Sequence, residues 1–61
     1  MNLKTYCEEY NITRIRMCNK KGKPYTVFKR VEDFNPLFQH LNIEDYYVRR
    51  AGIYCEIWER E

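Results

Sequence analysis

Serine is absent from this 61-residue chain, histidine occurs once, and glycine and proline occur twice each. A Ser-His-Asp triad is therefore excluded, and His40 alone leaves a thin acid–base repertoire. Gly22 and Gly52 stand isolated, so no glycine-rich phosphate loop is present. No apolar run approaches the roughly 20 residues that cross a bilayer, and Met1–Glu9 lacks the apolar segment of a signal peptide, so no membrane partner is expected. Cys7, Cys18 and Cys55 show no C-x-x-C spacing. They read as reduced thiols of a cytoplasmic protein, the alternative being one disulfide with one free thiol. With His40 they reach the ligand count of a structural zinc site but not its paired-knuckle spacing, so no metal or cofactor is expected. A Cys-His pair is conceivable on paper, yet a chain this short has little room for both a core and a walled pocket. The expectation is a protein that is not an enzyme and takes no small-molecule substrate.

Aromatic residues, by contrast, are abundant: six tyrosines, three phenylalanines and a tryptophan, enough to furnish a core, an interface or both. The formal net charge of +2 conceals a strong polarity. Between Tyr10 and Val31 lie Arg14, Arg16, Lys20, Lys21, Lys23, Lys29 and Arg30 with no acidic residue, whereas the rest of the chain carries four basic and nine acidic ones. Such asymmetry speaks to partners rather than to fold. At this length a single domain is expected, with a marginal core that dimerisation would help.

Ile12–Cys18 and Tyr25–Val31 are rich in β-branched and aromatic residues and flank Asn19-Lys20-Lys21-Gly22-Lys23-Pro24, a pattern that predicts a β-hairpin. Gly22 can take a positive φ, and Pro24 must sit at the start of the second strand. Alternation sets Thr13, Ile15 and Met17 against Ile12, Arg14, Arg16 and Cys18. In the second arm it sets Tyr25, Val27, Lys29 and Val31 against Thr26, Phe28 and Arg30. The N-terminal segment through Tyr10 reads as a short helix or an arm. Residues 32–41 predict a helix capped by Asp33 or Asn35, with Pro36 suited to its first position and Phe34, Leu37, Phe38 and Leu41 on one stripe. Residues 42–50 predict a second short helix, with Arg49 and Arg50 against its dipole and Gly52 beyond it; a strand from Tyr46 is the competing reading. From Ile53 to Arg60 strict alternation gives a strand with Ile53, Cys55 and Ile57 inward and Tyr54, Glu56 and Trp58 outward. The fold class is thus α+β: a small three-stranded antiparallel-rich sheet (hairpin, helix, strand) with one or two short helices on one face.

On the outward face, Phe28, Tyr54 and Trp58 would stand beside Arg14, Arg16 and Arg30. Such a surface suits a homodimer or host-protein interface, with aromatic and arginine anchors. It equally suits a single-stranded nucleic-acid platform, for which Lys20, Lys21, Lys23, Lys29 and Arg30 would supply phosphate contacts. The bland alternative is aromatic cross-pairing on a solvated sheet.

Tyr10-Asn11-Ile12-Thr13, Gly22-Lys23-Pro24-Tyr25 and Asp33-Phe34-Asn35-Pro36-Leu37-Phe38 resemble, in order and rough spacing, the uracil-DNA glycosylase inhibitor family of protein-primed Bacillus phages. That resemblance implies a dimeric hairpin–helix–strand protein that mimics DNA, with Phe34 and Phe38 where the family presents aromatics to its target. The chain departs from the family at the hairpin turn, which is acidic there and holds Lys20, Lys21 and Lys23 here. A positive turn repels the positive groove of a DNA-binding enzyme. Glu32, Asp33, Glu44 and Asp45 leave only a smaller acidic surface. The expectation is a homodimeric, phage-like accessory protein of the bacterial cytoplasm. It would occlude a host protein, a DNA-processing or defence enzyme, through Phe34, Phe38, Phe28, Tyr54 and Trp58. The alternative is a nucleic-acid binder working through the basic hairpin.

Overall fold

Asn2 begins the first element of the computed structural model, which describes residues 1–61. Its side-chain oxygen accepts a hydrogen bond from the Thr5 N–H at 2.8 Å, capping helix α1, Leu3–Tyr10. Asn11 ends the helix in the left-handed region, φ 56°, where asparagine is tolerated better than most residues. Leu3 and Cys7, one turn apart, are the buried stripe. The N-terminal ambiguity thus resolves as a helix.

Strand β1, Arg14–Cys18, follows, and further on come β2, Tyr46–Ala51, and β3, Tyr54–Glu59. The sheet order is β1-β3-β2: β3 lies in the centre, parallel to β1 and antiparallel to β2. The α+β class with a three-stranded sheet is what forms, and the sheet is mixed. Ile15 and Met17 from β1 and Cys55 and Ile57 from β3 pack with Leu3, Cys7, Ile12, Phe34 and Ile43 into one core on the helix side. Burial at alternate strand positions follows from the pleat.

The predicted second arm of the hairpin, Tyr25–Val31, is not a strand. It forms β-bridges with β1 at two points only, Cys18 opposite Pro24 and Ile15 opposite Lys29. Between those points the arm holds two more residues than β1 does, so it bulges outward and its alternation is lost. Val27 is 75% exposed. The Met17 N–H, which a regular ladder would offer to a backbone carbonyl, instead donates to the Thr26 Oγ1 at 3.2 Å. The turn itself is well organised. The Asn19 Oδ1 accepts from the Lys21 and Lys23 N–H groups, both at 2.9 Å, and Gly22 adopts φ 87°.

Two helical predictions also give way. The helix expected over 32–41 shrinks to a 3-10 turn, Val31–Asp33, and a single α-turn, α2, Pro36–Gln39. Asn35 is its cap, its Oδ1 accepting from the Leu37 N–H at 2.9 Å, and Pro36 does fill the first position. One turn cannot sustain a stripe: Phe34 is buried, but Leu37 is 81% exposed. The helix expected over 42–50 is instead a 3-10 turn, Ile43–Asp45, capped by Asn42 and leading into β2. The competing strand reading therefore holds, because Tyr-Tyr-Val packs well on a pleated surface. Gly52, φ 61°, opens a two-residue turn between Ala51 and Tyr54 rather than ending a helix. Ile53, expected inward, lies in that turn and is exposed.

Candidate functional site

The three strands bury one face, and the other is covered only at one end. In register on that second face stand Arg14 beside Tyr54, Arg16 beside Glu56, and Cys18 beside Trp58. Arg49 lies across from Glu56 and Tyr47 across from Trp58. The basic turn folds over the Cys18 end and brings Gly22 against the indole. A Cβ on Gly22 would come within 2.3 Å of the Trp58 Cη2, so no larger residue fits without displacement. Cys18 is fully buried there, on the side of the sheet opposite Cys7 and Cys55. The three thiols therefore do not converge, and no group of three His, Cys, Asp or Glu side chains is placed to hold a metal ion.

Glu56 organises the face. It accepts from the Arg16 Nε at 2.7 Å and from the same guanidinium's Nη2, while its other oxygen accepts from the Trp58 Nε1 at 3.1 Å. The Arg16 hydrogen bonds hold its carboxyl below the ordinary carboxylate range, against the opposing effect of partial burial. Arg16 in turn stacks on Phe28, 4.4 Å from the ring centroid. Phe28 meets Tyr54 edge to face at 5.0 Å and 83°, and Arg49 lies 5.0 Å over Trp58. Phe28, Tyr54, Glu56 and Arg49 line an open depression of about 330 Å³, at the lower bound of small-ligand clefts. Rings and guanidinium planes held in place can stack a planar group and pair with an anion.

Of the residues singled out in the sequence, Phe28, Tyr54, Trp58 and Arg16 come together, with Arg14 at the edge of the group. Phe34 does not. It is 5% exposed and belongs to the core, so it is unavailable as an anchor. Phe38 lies edge-on to Phe34 at 6.1 Å, away from the open face and partly exposed. Arg30 forms a surface ion pair with Glu32, and Lys29 lies over the Phe34 ring. Lys20, Lys21 and Lys23 are exposed on the turn, and no carboxylate forms an ion pair with them. Of the acidic residues on the helical side, Glu32 pairs with Arg30 and Glu44 with the N-terminal amine.

Glu56 and Arg49 are the site residues that sequence reasoning missed. Glu56 was already on the outward alternation, midway between Tyr54 and Trp58, and that position was its signal. Arg49 was hidden by the helical reading of its segment. It and Arg50 do not face a helix dipole; Arg50 stacks on Tyr10 at 4.0 Å beside Tyr6.

Nucleophilic chemistry has little to start from. Burial pushes the Cys7 thiol up to about 11 and the Cys55 thiol up to about 12, and raises Cys18 as well. Thiols so shifted carry almost no thiolate at neutral pH. His40 ends α2 on the surface, and no helix is long and apolar enough to cross a membrane.

Comparisons with protein-family models, with curated proteins and with solved structures find no significant match to this chain.

Proposed function

We propose that this chain is a non-enzymatic binding protein that occludes another macromolecule through the open face of its sheet. The observation that carries this reading is the stacked Arg16–Phe28–Tyr54 and Arg49–Trp58 layer held by Glu56. Arg16 and Trp58 are already held by Glu56, and Phe28, Tyr54 and Arg49 are stacked against their neighbours, which lowers the side-chain entropy lost on binding. These residue types also dominate the centres of protein interfaces. The target class is a host protein of the bacterial cytoplasm, a DNA-processing or defence enzyme, which is the role suggested by the resemblance to the phage inhibitor family. Phe28, Tyr54, Trp58, Arg16 and Arg49 are the anchors; Phe34 is withdrawn from that set and Phe38 is peripheral to it.

Affinity capture from a bacterial lysate, run in parallel with Phe28→Ala/Tyr54→Ala, tests the proposal. A protein retained by the native chain and lost by the double variant supports it. Recovery of no protein, or equal recovery by both, overturns it.

One observation favours nucleic acid as the second reading: Lys20, Lys21 and Lys23 are exposed on a hydrogen-bonded turn and form no ion pair with a carboxylate. Three phosphate contacts predict a slope of log affinity on log salt near −2.7 for duplex DNA or about −2.1 for a single strand. Replacing the three lysines by glutamate should abolish that binding, and unchanged affinity eliminates the reading. An acidic protein partner would show slower association instead.

A further inference from the structure

Each outer strand of the sheet has one side turned away from β3, and the chain treats the two sides differently. The outer side of β1 is occupied, since Ile15 exchanges both backbone hydrogen bonds with Lys29, at 2.8 and 2.9 Å. The outer side of β2 pairs with nothing in the chain. Which backbone groups it offers follows from the ladder. The Ile53 carbonyl accepts from the Arg14 N–H on the β1 side, so odd residues of β3 face β1 and even residues face β2. Tyr54, Glu56 and Trp58 therefore bond Ala51, Arg49 and Tyr47, and the backbone groups of Tyr46, Val48 and Arg50 point away. The Tyr46 N–H is used internally, donating to the Ile43 carbonyl. Val48 and Arg50 are left with both groups free, and Tyr46 with its carbonyl. Neither a proline nor a bulge protects this edge, as edge strands commonly require.

We propose that β2 pairs antiparallel with β2 of a second copy of this chain, joining two sheets into one of six strands. A two-fold axis normal to the sheet obliges one residue to face its own copy. Registers centred on Arg49 or Arg50 oppose like charges directly, which is destabilising. A register centred on Tyr47 leaves the Arg50 backbone groups without partners. The register centred on Val48 avoids both faults and uses every free group except the Arg50 carbonyl, whose opposite N–H, that of Tyr46, is already engaged with Ile43. It gives two bonds between the Val48 residues and one from each Arg50 N–H to the Tyr46 carbonyl of the other copy. It also sets Tyr47 opposite Arg49, and Tyr46 opposite Arg50, across the junction. Both pairs lie on matching faces, because partners across an antiparallel pair share a side. The open face described above then continues from one copy to the next, doubling its area. The inference stands whether that face meets a host protein or a nucleic acid.

Sedimentation velocity of the full chain over a concentration series, with three variants, tests it. A reversible dimer is expected. Val48→Pro removes an N–H that β3 does not use and should raise the dimer dissociation constant by about tenfold or more, with far-UV circular dichroism unchanged. Should Val48→Pro unfold, Tyr47 still decides, because its side chain is exposed. Tyr47→Arg sets like charges opposite Arg49 and should dissociate the dimer, whereas Tyr47→Glu sets opposite charges there and should preserve it. A monomer at all concentrations overturns the proposal. So does a dimer that responds equally to Tyr47→Arg and Tyr47→Glu.

Discussion

Replacing Gly22 by alanine tests how the basic turn is seated on the sheet. Two separate penalties apply. At φ 87° an L-residue carries a backbone cost of about 1–2 kcal/mol. The new Cβ would also fall 2.3, 2.8 and 2.9 Å from the Trp58 Cη2, Cζ2 and Cζ3. Displacing an indole that also holds Glu56 and lies under Arg49 is an overpacking cost of about 1–3 kcal/mol. Their sum, about 2–5 kcal/mol, is a large fraction of the roughly 3–9 kcal/mol expected for a domain of this length. Gly52 is the internal control: its φ is 61°, but a Cβ there meets nothing within 4 Å, so Gly52→Ala carries the backbone cost alone. Thermal unfolding followed by circular dichroism should show a fall in Tm of about 4–16 °C for Gly52→Ala and at least twice the Gly52→Ala fall for Gly22→Ala. In a Trp58→Ala background the excess at Gly22 should vanish, since the obstructing ring is gone. Equal losses for the two glycine variants in the native background would refute the seating of the turn on the indole.

Thr26→Val keeps the side-chain shape but removes the acceptor of the Met17 N–H; a loss of about 1–3 kcal/mol in urea unfolding is expected, with Thr26→Ser recovering most of it. An unchanged Met17 amide exchange rate in Thr26→Val would count against this substitute ladder bond. Glu56, whose carboxyl is held below its ordinary value of 4.5, contributes stability that is complete above that pH and is lost as pH falls through its lower folded value. Acid titration of stability should therefore be shallower in Glu56→Gln than in the native chain, and identical acid limbs would remove Glu56 from its organising position.

The sequence was informative wherever a local pattern coincided with what packing required. The alternation of Tyr54 to Trp58 placed three side chains on the open face correctly, and Asn35-Pro36 marked a helix start that is real. It was misleading where several local preferences were nearly balanced. Tyr46-Tyr47-Val48 has strand character and Asn42-Ile43-Glu44-Asp45 has cap character, and the decision fell to β3, which needed a second neighbour. Tyr25–Val31 carries strand-like residues throughout, yet two surplus residues between its contacts with β1 break the ladder, and nothing in its composition records that surplus. Phe34 looked like an exposed anchor because a long helical stripe was expected; once the helix shortened to one turn, the ring had only the core to fill. Arg49 and Glu56 needed the register between β2 and β3 before they could be seen as neighbours.

The central position of β3 shapes how the molecule must come into being. Each of its partners in β1 lies forty residues back along the chain, so no part of the sheet can assemble on a nascent polypeptide until Tyr54–Glu59 has left the ribosome. Until then β1 has only the arm bridged to it at Pro24 and Lys29 as a neighbour and β2 has no strand to pair with, and the core lacks its middle layer. Ordering this polypeptide thus depends on closing a long loop late, which favours slow folding.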